Sequence, residues 1–329
     1  MARFRQQKKY TNLKNRPAIS SDELLAIFQK NHSIFVNHVQ EERLPDFLKE
    51  YRKAPLAQIA ELVFCEHNSN YLWPINSWGP IQLVEIESIT KAAKFLKSLQ
   101  RNWVHQALFS VRRGALISQE LPKISAKPIN FPDRAPDAAL GVFSLIDNEH
   151  LIYSLKSRSP FLQACPRFAQ ELEGAPSQAY LKLWEALTRL GVWPTKEEVS
   201  LDVGSAPGSW TLALSDISKK VFSVDKAPLE PVVLKRTNVE FIKGDAFKLS
   251  EGLIKELDWL FSDVICAPER LYELIESVLK INPKIKMLCT LKFLGPWEPS
   301  SVEKFLRIPG SKIQHLYYNK HELCFSRLP

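Results

Sequence analysis

The chain lacks any pair of cysteines at C-x-x-C spacing. Its five cysteines, Cys65, Cys165, Cys266, Cys289 and Cys324, are scattered, which argues against a zinc ribbon or a dithiol redox motif. Their odd number and wide separation suit a reducing compartment, so a cytoplasmic location is expected. No apolar run approaches the roughly 18 residues that a membrane span needs, and the N-terminus has no apolar h-region of a secretory signal. Neither a G-x-G-x-x-G fingerprint nor a Walker lysine is present, which argues against dinucleotide and P-loop sites. His105, His150, His315 and His321 have no cysteine or carboxylate partner at ligand spacing, so no metal is expected. Ser205 and Ser209 have no evident histidine partner, which argues against hydrolase chemistry. No internal repeat is visible.

What is present is a chain of 329 residues, 45% hydrophobic and 24% charged, long enough for two globular domains. The formal charge of +8 favours an anionic partner, nucleic acid first, against the plainer reading of a soluble basic protein. Arg3, Arg5, Lys8, Lys9, Lys14 and Arg16 occur without an intervening acid, so residues 1–19 read as a basic, disordered tail. Residues 20–165 mix short helices and strands in an α+β pattern. Ser20 caps a helix that opens with Asp22 and Glu23. Gly141–Ile146 and His150–Ser154 read as a hairpin about Asp147-Asn148-Glu149. Gln119–Pro136, with Pro122, Pro128, Pro132 and Pro136, reads as an extended connection.

Residues 166–329 change character. A helix is expected over Ser177–Leu190, closed by Gly191 and Pro194. Strands are expected at Val199–Val203, Lys220–Val224, Val239–Lys243, Trp259–Ser262 and Lys286–Leu291, with helices between them. A hairpin of Lys312–Tyr318 and Glu322–Arg327 follows. This alternation specifies an α/β fold: a Rossmann-like, mostly parallel seven-stranded sheet with a terminal antiparallel hairpin. Ligands in such folds sit beyond the carboxyl ends of the strands. Asp225, Asp245, Asp263 and Lys292 all fall there. The first strand runs into Asp202-Val-Gly204-Ser205-Ala206-Pro207-Gly208-Ser209-Trp210, a glycine turn feeding a helix N-terminus. Its spacing suits S-adenosylmethionine, with Asp225 on the ribose hydroxyls and Asp245 on the adenine amino group. Taken singly, each aspartate reads as readily as a helix cap or loop acid.

The glycine turn resembles motif I of the FtsJ-type ribose 2′-O-methyltransferases. Ala175-Pro-Ser-Gln-Ala-Tyr-Leu-Lys-Leu-Trp-Glu-Ala186, together with Tyr153–Phe161 and Pro166-Arg167, resembles the RlmM-like branch, whose members methylate a cytidine of large-subunit rRNA. The resemblance covers about residues 150–329. It implies a methyltransferase domain at 166–329 with S-adenosylmethionine as cofactor. It also implies an RNA-binding region at 20–165, ferredoxin-like plus THUMP-like in layout. Ser177, Gly204, Ala206, Pro207, Gly208, Ser209, Trp210 and Asp263 would join Asp225 and Asp245 in the cofactor site. One departure stands out: the family usually has a second glycine where this chain has Ser209, a helix-start position that tolerates serine.

A ribose hydroxyl is a poor acid, so attack on a sulfonium methyl needs a base close to the oxygen and a straight line of approach. Lys182, Asp263, Lys292 and Glu322 match the Lys-Asp-Lys-Glu tetrad of the resembled family. Lys292 takes the place of the proton acceptor and Asp263 that of the acid beside the methyl group. Alone, Lys182 reads as a solvated helix charge and Glu322 as a strand-edge charge. The expected partner is RNA, by resemblance large-subunit rRNA, contacted through Arg112, Arg113, Lys123 and Lys127. Trp73, Trp78, Trp103 and Tyr71 would either stack bases or fill the core. A monomer is expected. Two rivals are an inactive RNA-binding assembly factor and a methyltransferase acting on another RNA.

Overall fold

The protein is described by a computed structural model over residues 19–31, 33–67, 70–124 and 127–329. The basic tail expected from Arg3 to Arg16 lies outside the described residues. Among the described residues, fifteen strands form three sheets.

In the first sheet, β1 (Phe35–His38) pairs antiparallel with β3 (Leu62–Cys65) and β4 (Asn76–Trp78), and β2 (Ala57–Ile59) pairs with β3, giving the order β2-β3-β1-β4. The helix Ser21–Lys30 precedes it. Its start is set by a capping box: the Ser20 hydroxyl accepts from the Glu23 N–H at 3.2 Å, and the Glu23 carboxylate accepts from the Ser20 N–H at 2.8 Å. The second sheet has the order β5-β8-β7-β6. Here β5 is Gln82–Glu85, β6 is Trp103–His105, and β7 (Gly141–Leu145) with β8 (His150–Ser154) is the expected hairpin. Asp147 organises its turn by accepting the N–H groups of Glu149 and His150, both at 2.7 Å. The two sheets share an apolar layer that includes Phe28, Val36, Trp78, Val142 and Ile152.

The third sheet has the order β11-β10-β9-β12-β13-β15-β14. Its members are β9 (Val199–Val203), β10 (Lys220–Asp225), β11 (Val239–Lys243), β12 (Trp259–Ser262), β13 (Lys286–Lys292), β14 (Ser311–Gln314) and β15 (Glu322–Arg327). The first five run parallel and β15 inserts antiparallel between β13 and β14. The strand order reverses between β9 and its neighbours β10 and β12, which opens a crevice at their carboxyl ends.

Several boundaries differ from the sequence expectation for physical reasons. Asp225 and Lys292 are the last residues of their strands because each keeps its ladder partner, Lys243 and Glu322 respectively. The helix expected from Ser177 begins at Tyr180, since residues 177–179 are bound to the glycine turn instead. The strand expected to reach Tyr318 ends at Gln314. Beyond it, the Tyr317 and Tyr318 N–H groups leave the sheet and donate to the fully buried Glu185 carboxylate, both at 3.0 Å.

The N-terminal sheet is fused to the third sheet through one core. Phe47, Tyr51, Val63, Leu72 and Trp73 pack in the same cluster as Leu201, Leu291, Trp297 and Phe325. Of the two readings of the tryptophans, core packing holds: Trp73, Trp78 and Trp103 are all buried. The proline-rich connection also docks on the C-terminal half. Ile129 exchanges backbone hydrogen bonds with Arg167 and Ala169, and Phe131 stacks on Trp184 with ring centroids 4.9 Å apart.

Candidate active site

A cleft of about 380 Å³ opens at the carboxyl ends of β9, β10, β12 and β13. Ser177, Asp202, Gly204, Ala206, Pro207, Ser209, Trp210, Asp225, Asp263 and Lys292 line it. The glycine turn that forms its floor is shaped by the chain's own packing. Gly204 has φ +70°, and a Cβ there would lie 2.5 Å from the Val264 Cβ. Gly208 has φ +111°, caps the helix Ser209–Ser215, and a Cβ there would meet Val233 at 2.8 Å. The two glycines therefore answer first to Val264 and Val233.

Asp202, Asp225 and Asp263 are the carboxylates that line this cleft. Asp225 accepts the N–H groups of Ala206 and Ala227, both at 2.9 Å, which ties the turn to the end of β10. Asp202 is fully buried and accepts from the Thr211 hydroxyl at 2.6 Å. Burial pushes its pKa up to about 7; the Thr211 hydroxyl works against the rise, and the negative charges of Asp263 and Asp225 add to it. Asp245 stands apart from the cleft lining. It accepts from the Phe247 N–H at 3.1 Å, which holds its pKa below the usual range with help from Lys226 and Arg270, each 3.8 Å away.

Lys182, Asp263, Lys292 and Glu322 converge from a helix and three strand ends. The Lys182 ammonium donates to both Asp263 oxygens at 3.1 and 3.0 Å and to Glu322 Oε1 at 2.8 Å. Lys292 Nζ lies 3.0 Å from Asp263 Oδ1 and also donates to the Asp263 carbonyl. The Thr290 hydroxyl donates to the same Oδ1 at 2.7 Å. Asp263 thus bridges two cations, and Lys182 bridges two acids. Burial acts against the Lys182 charge, but Asp263 and Glu322 outweigh it, so its pKa is raised. Lys182 is a fixed positive charge, which leaves Lys292 as the amine facing the cleft.

Glu185, Thr211 and His315 were missed as supports of the site. Glu185 stands three residues after Lys182 on the same helix, so both point from one face. It holds the Tyr317–Tyr318 loop while Arg189 donates to it at 2.8 Å. A buried-face glutamate at i+3 from a functional lysine was the available signal. His315 is buried; Nδ1 lies 3.0 Å from the Glu322 carbonyl and Nε2 lies 2.8 Å from Gln40 Oε1. Burial lowers its pKa to about 4. The Gln40 contact spans 275 positions in the chain, and no local pattern announces it. Among the described residues, no group of three or more side chains could hold a metal ion. Nor is any helix long and apolar enough to cross a membrane.

The chain is similar to known proteins. The model of the FtsJ-like methyltransferases matches residues 175–327. The ribosomal RNA large subunit methyltransferase M of Halorhodospira halophila is 33% identical over 137 residues, 41% of this chain and 40% of that protein. Its namesake in Shewanella sp. (strain MR-4) is 29% identical over 230 residues, 64% of this chain and 60% of that one. The matches therefore span about two fifths to three fifths of these relatives' own lengths. Among solved structures, the fibrillarin of Aeropyrum pernix overlaps 60% of this chain and 85% of its own at 17% identity and a TM-score of 0.36; at that depth the overlap decides nothing here. With a seven-stranded sheet of the order described and a family match across it, residues 175–327 are an FtsJ-like methyltransferase domain, similar to the one carried by the large subunit methyltransferases M.

Proposed function

We propose that this protein transfers a methyl group from S-adenosylmethionine to a ribose 2′-hydroxyl of RNA, and that the RNA is large-subunit rRNA with a cytidine as its target. The observation that carries the reading is the convergence of Lys182, Asp263, Lys292 and Glu322 at the mouth of the cleft built by the glycine turn. The cleft fits the cofactor's chemistry. Its polar wall is made of the Asp202, Asp225 and Asp263 carboxylates, which complement an ammonium group, a sulfonium and ribose hydroxyls, and it has no cradle of basic residues for phosphates. S-adenosylmethionine bound there supplies an electrophilic methyl group on a positively charged sulfur.

The chain's own residues supply the rest. Lys292, in its unprotonated form, takes the proton from the attacking hydroxyl. Asp263 holds Lys292 at 3.0 Å and so fixes the direction from which the oxygen comes. Lys182 stays charged and divides the negative charge of Asp263 and Glu322. Residues 20–165 serve as the RNA-binding region, with Arg112, Lys123 and Lys127 exposed for phosphates. The five cysteines are free, which suits work in a reducing cytoplasm. An inactive assembly factor is the weaker reading, because nothing in binding alone calls for two lysines held against one aspartate.

Lys292→Ala tests the proposal. Methyl transfer to unmodified large-subunit rRNA should fall by at least about 10²-fold, with cofactor affinity nearly unchanged. Undiminished transfer by this variant removes Lys292 from the mechanism. Ribose-methylation mapping on the rRNA product identifies the nucleotide.

A further inference from the structure

The one place where the glycine turn departs from its family is also where the structure has built something. Ser209 is buried, with 4% of its surface exposed, and its hydroxyl meets the segment before the Lys182 helix three times. The Ser177 N–H donates to Ser209 Oγ at 2.8 Å, Ser209 Oγ donates to the Ser177 carbonyl at 3.1 Å, and the two hydroxyl oxygens lie 2.9 Å apart. A hydroxyl has one proton and two lone pairs. Ser209 spends its proton on the Ser177 carbonyl, so the hydroxyl–hydroxyl bond must use the Ser177 proton. The Ser177 oxygen in turn accepts from the Ala179 N–H at 3.3 Å. A second tie lies alongside: the Trp210 indole N–H donates to the Ala179 carbonyl at 2.9 Å, the carbonyl that also accepts the Lys182 N–H at 3.2 Å.

We propose that Ser209 is a positioning residue: its hydroxyl latches residues 177–179 to the cofactor turn, sets where the Lys182 helix begins, and withdraws the Ser177 hydroxyl from direct donation to the cofactor. A glycine at 209 cannot make this latch. The cleft wall formed by Ser177 and Ala179 and the helix that delivers Lys182 to Asp263 and Glu322 are thereby held as one piece. The cofactor part of the inference rests on the S-adenosylmethionine reading above; the latch itself rests on the hydrogen bonds alone.

Two variants of the full chain, Ser209→Ala and Ser177→Ala, separate the roles. Ser209→Ala deletes the latch but keeps a Cβ, and should weaken S-adenosylmethionine binding by about tenfold, the scale of one or two lost hydrogen bonds. Ser177→Ala leaves the Ser209 hydroxyl bonded to the Ser177 backbone, and should weaken affinity less than Ser209→Ala does. Hydrogen exchange in the cofactor-free protein should quicken at the amides of residues 177–182 in Ser209→Ala, with the amides of β7 and β8 unchanged as an internal control for global stability. With cofactor and RNA saturating, turnover should fall less than affinity. A larger affinity loss in Ser177→Ala than in Ser209→Ala overturns the proposal, because it returns the Ser177 hydroxyl to the cofactor. Unaltered exchange at 177–182 in Ser209→Ala overturns the latch. If the unsubstituted protein binds no S-adenosylmethionine, the cofactor reading falls, and the exchange experiment still decides the latch.

Discussion

At the scale of single residues, the site is a set of charges arranged so that none is left alone. Asp263 carries the most: it faces Lys182, Lys292 and Thr290 at once. Removing it would leave two buried or half-buried ammonium groups without a shared counter-charge, a change costly to fold and site alike. Asp202 makes a sharper prediction. Its folded-state pKa of about 7 lies above its unfolded value, so the folded protein binds the extra proton between about pH 4 and pH 7. Its contribution to stability is therefore greatest below that window and declines as pH rises through it. Asp202→Asn cannot titrate, so the melting temperature of the native chain minus that of the variant should fall from about pH 5 to pH 8. A difference independent of pH would show that Asp202 is ionised throughout. Comparison with the variant is needed because His315, held at about 4, drives stability the opposite way below neutrality. Glu50, raised to about 7 by burial, drives it the same way as Asp202.

At the scale of elements, the glycine turn shows how a short motif can be demanded by its neighbours before any ligand arrives. Gly204 sits at φ +70° with Val264 across from it, at the start of the segment that follows β12. Gly204→Ala must accept both a left-handed backbone and a Cβ 2.5 Å from the Val264 Cβ. It should lose about 2–4 kcal/mol of stability by chemical denaturation, from left-handed strain and overpacking together. Adding Val264→Gly should recover only the overpacking share. Full recovery would mean that the left-handed backbone costs nothing there. The strand pattern was legible in outline: the expected cores of all seven strands of the third sheet coincide with observed strands. The miss at Tyr317 and Tyr318 came from reading apolar and aromatic residues as a strand continuation. The buried Glu185 carboxylate took their N–H groups instead, a tertiary bond that overrides local propensity.

At the scale of the whole molecule, the N-terminal region is part of the platform under the active site. Trp73 is fully buried against Trp297, Phe293, His315 and His321, with ring centroids 5.3–6.0 Å apart. The Leu72 carbonyl accepts the His315 N–H at 2.6 Å, and His315 in turn lies against the Glu322 backbone. Trp73→Ala should cost about 3–5 kcal/mol in thermal or chemical unfolding, and the two halves should unfold in one transition because they share a core. A separate, unshifted transition for the catalytic half would contradict that coupling. The same scale governs RNA affinity. With the phosphate contacts proposed at Arg112, Lys123 and Lys127, the logarithm of RNA affinity should fall linearly with the logarithm of salt concentration. Neutralising one contact should reduce that slope by about 0.7–0.9. A slope unmoved by Lys123→Ala would take this residue off the RNA surface.

What the amino-acid order determined by itself was what repeats locally: the strand and helix periods of the catalytic half, the glycine turn, the polar residues at strand ends and the capping box at Ser20. Those signals depend on neighbours within a few residues, so they survive without a fold. Tertiary structure decided the rest. It spent Ser177 and Ser209 on each other, gave Asp245 the Phe247 N–H and two cations, Lys226 and Arg270, buried Trp73, Trp78 and Trp103, and tied Gln40 to the support of Glu322. The reason is physical: hydrogen-bond saturation and burial are properties of atoms brought together from distant positions. A sequence names the donors and acceptors, and only the packed chain allots them to one another.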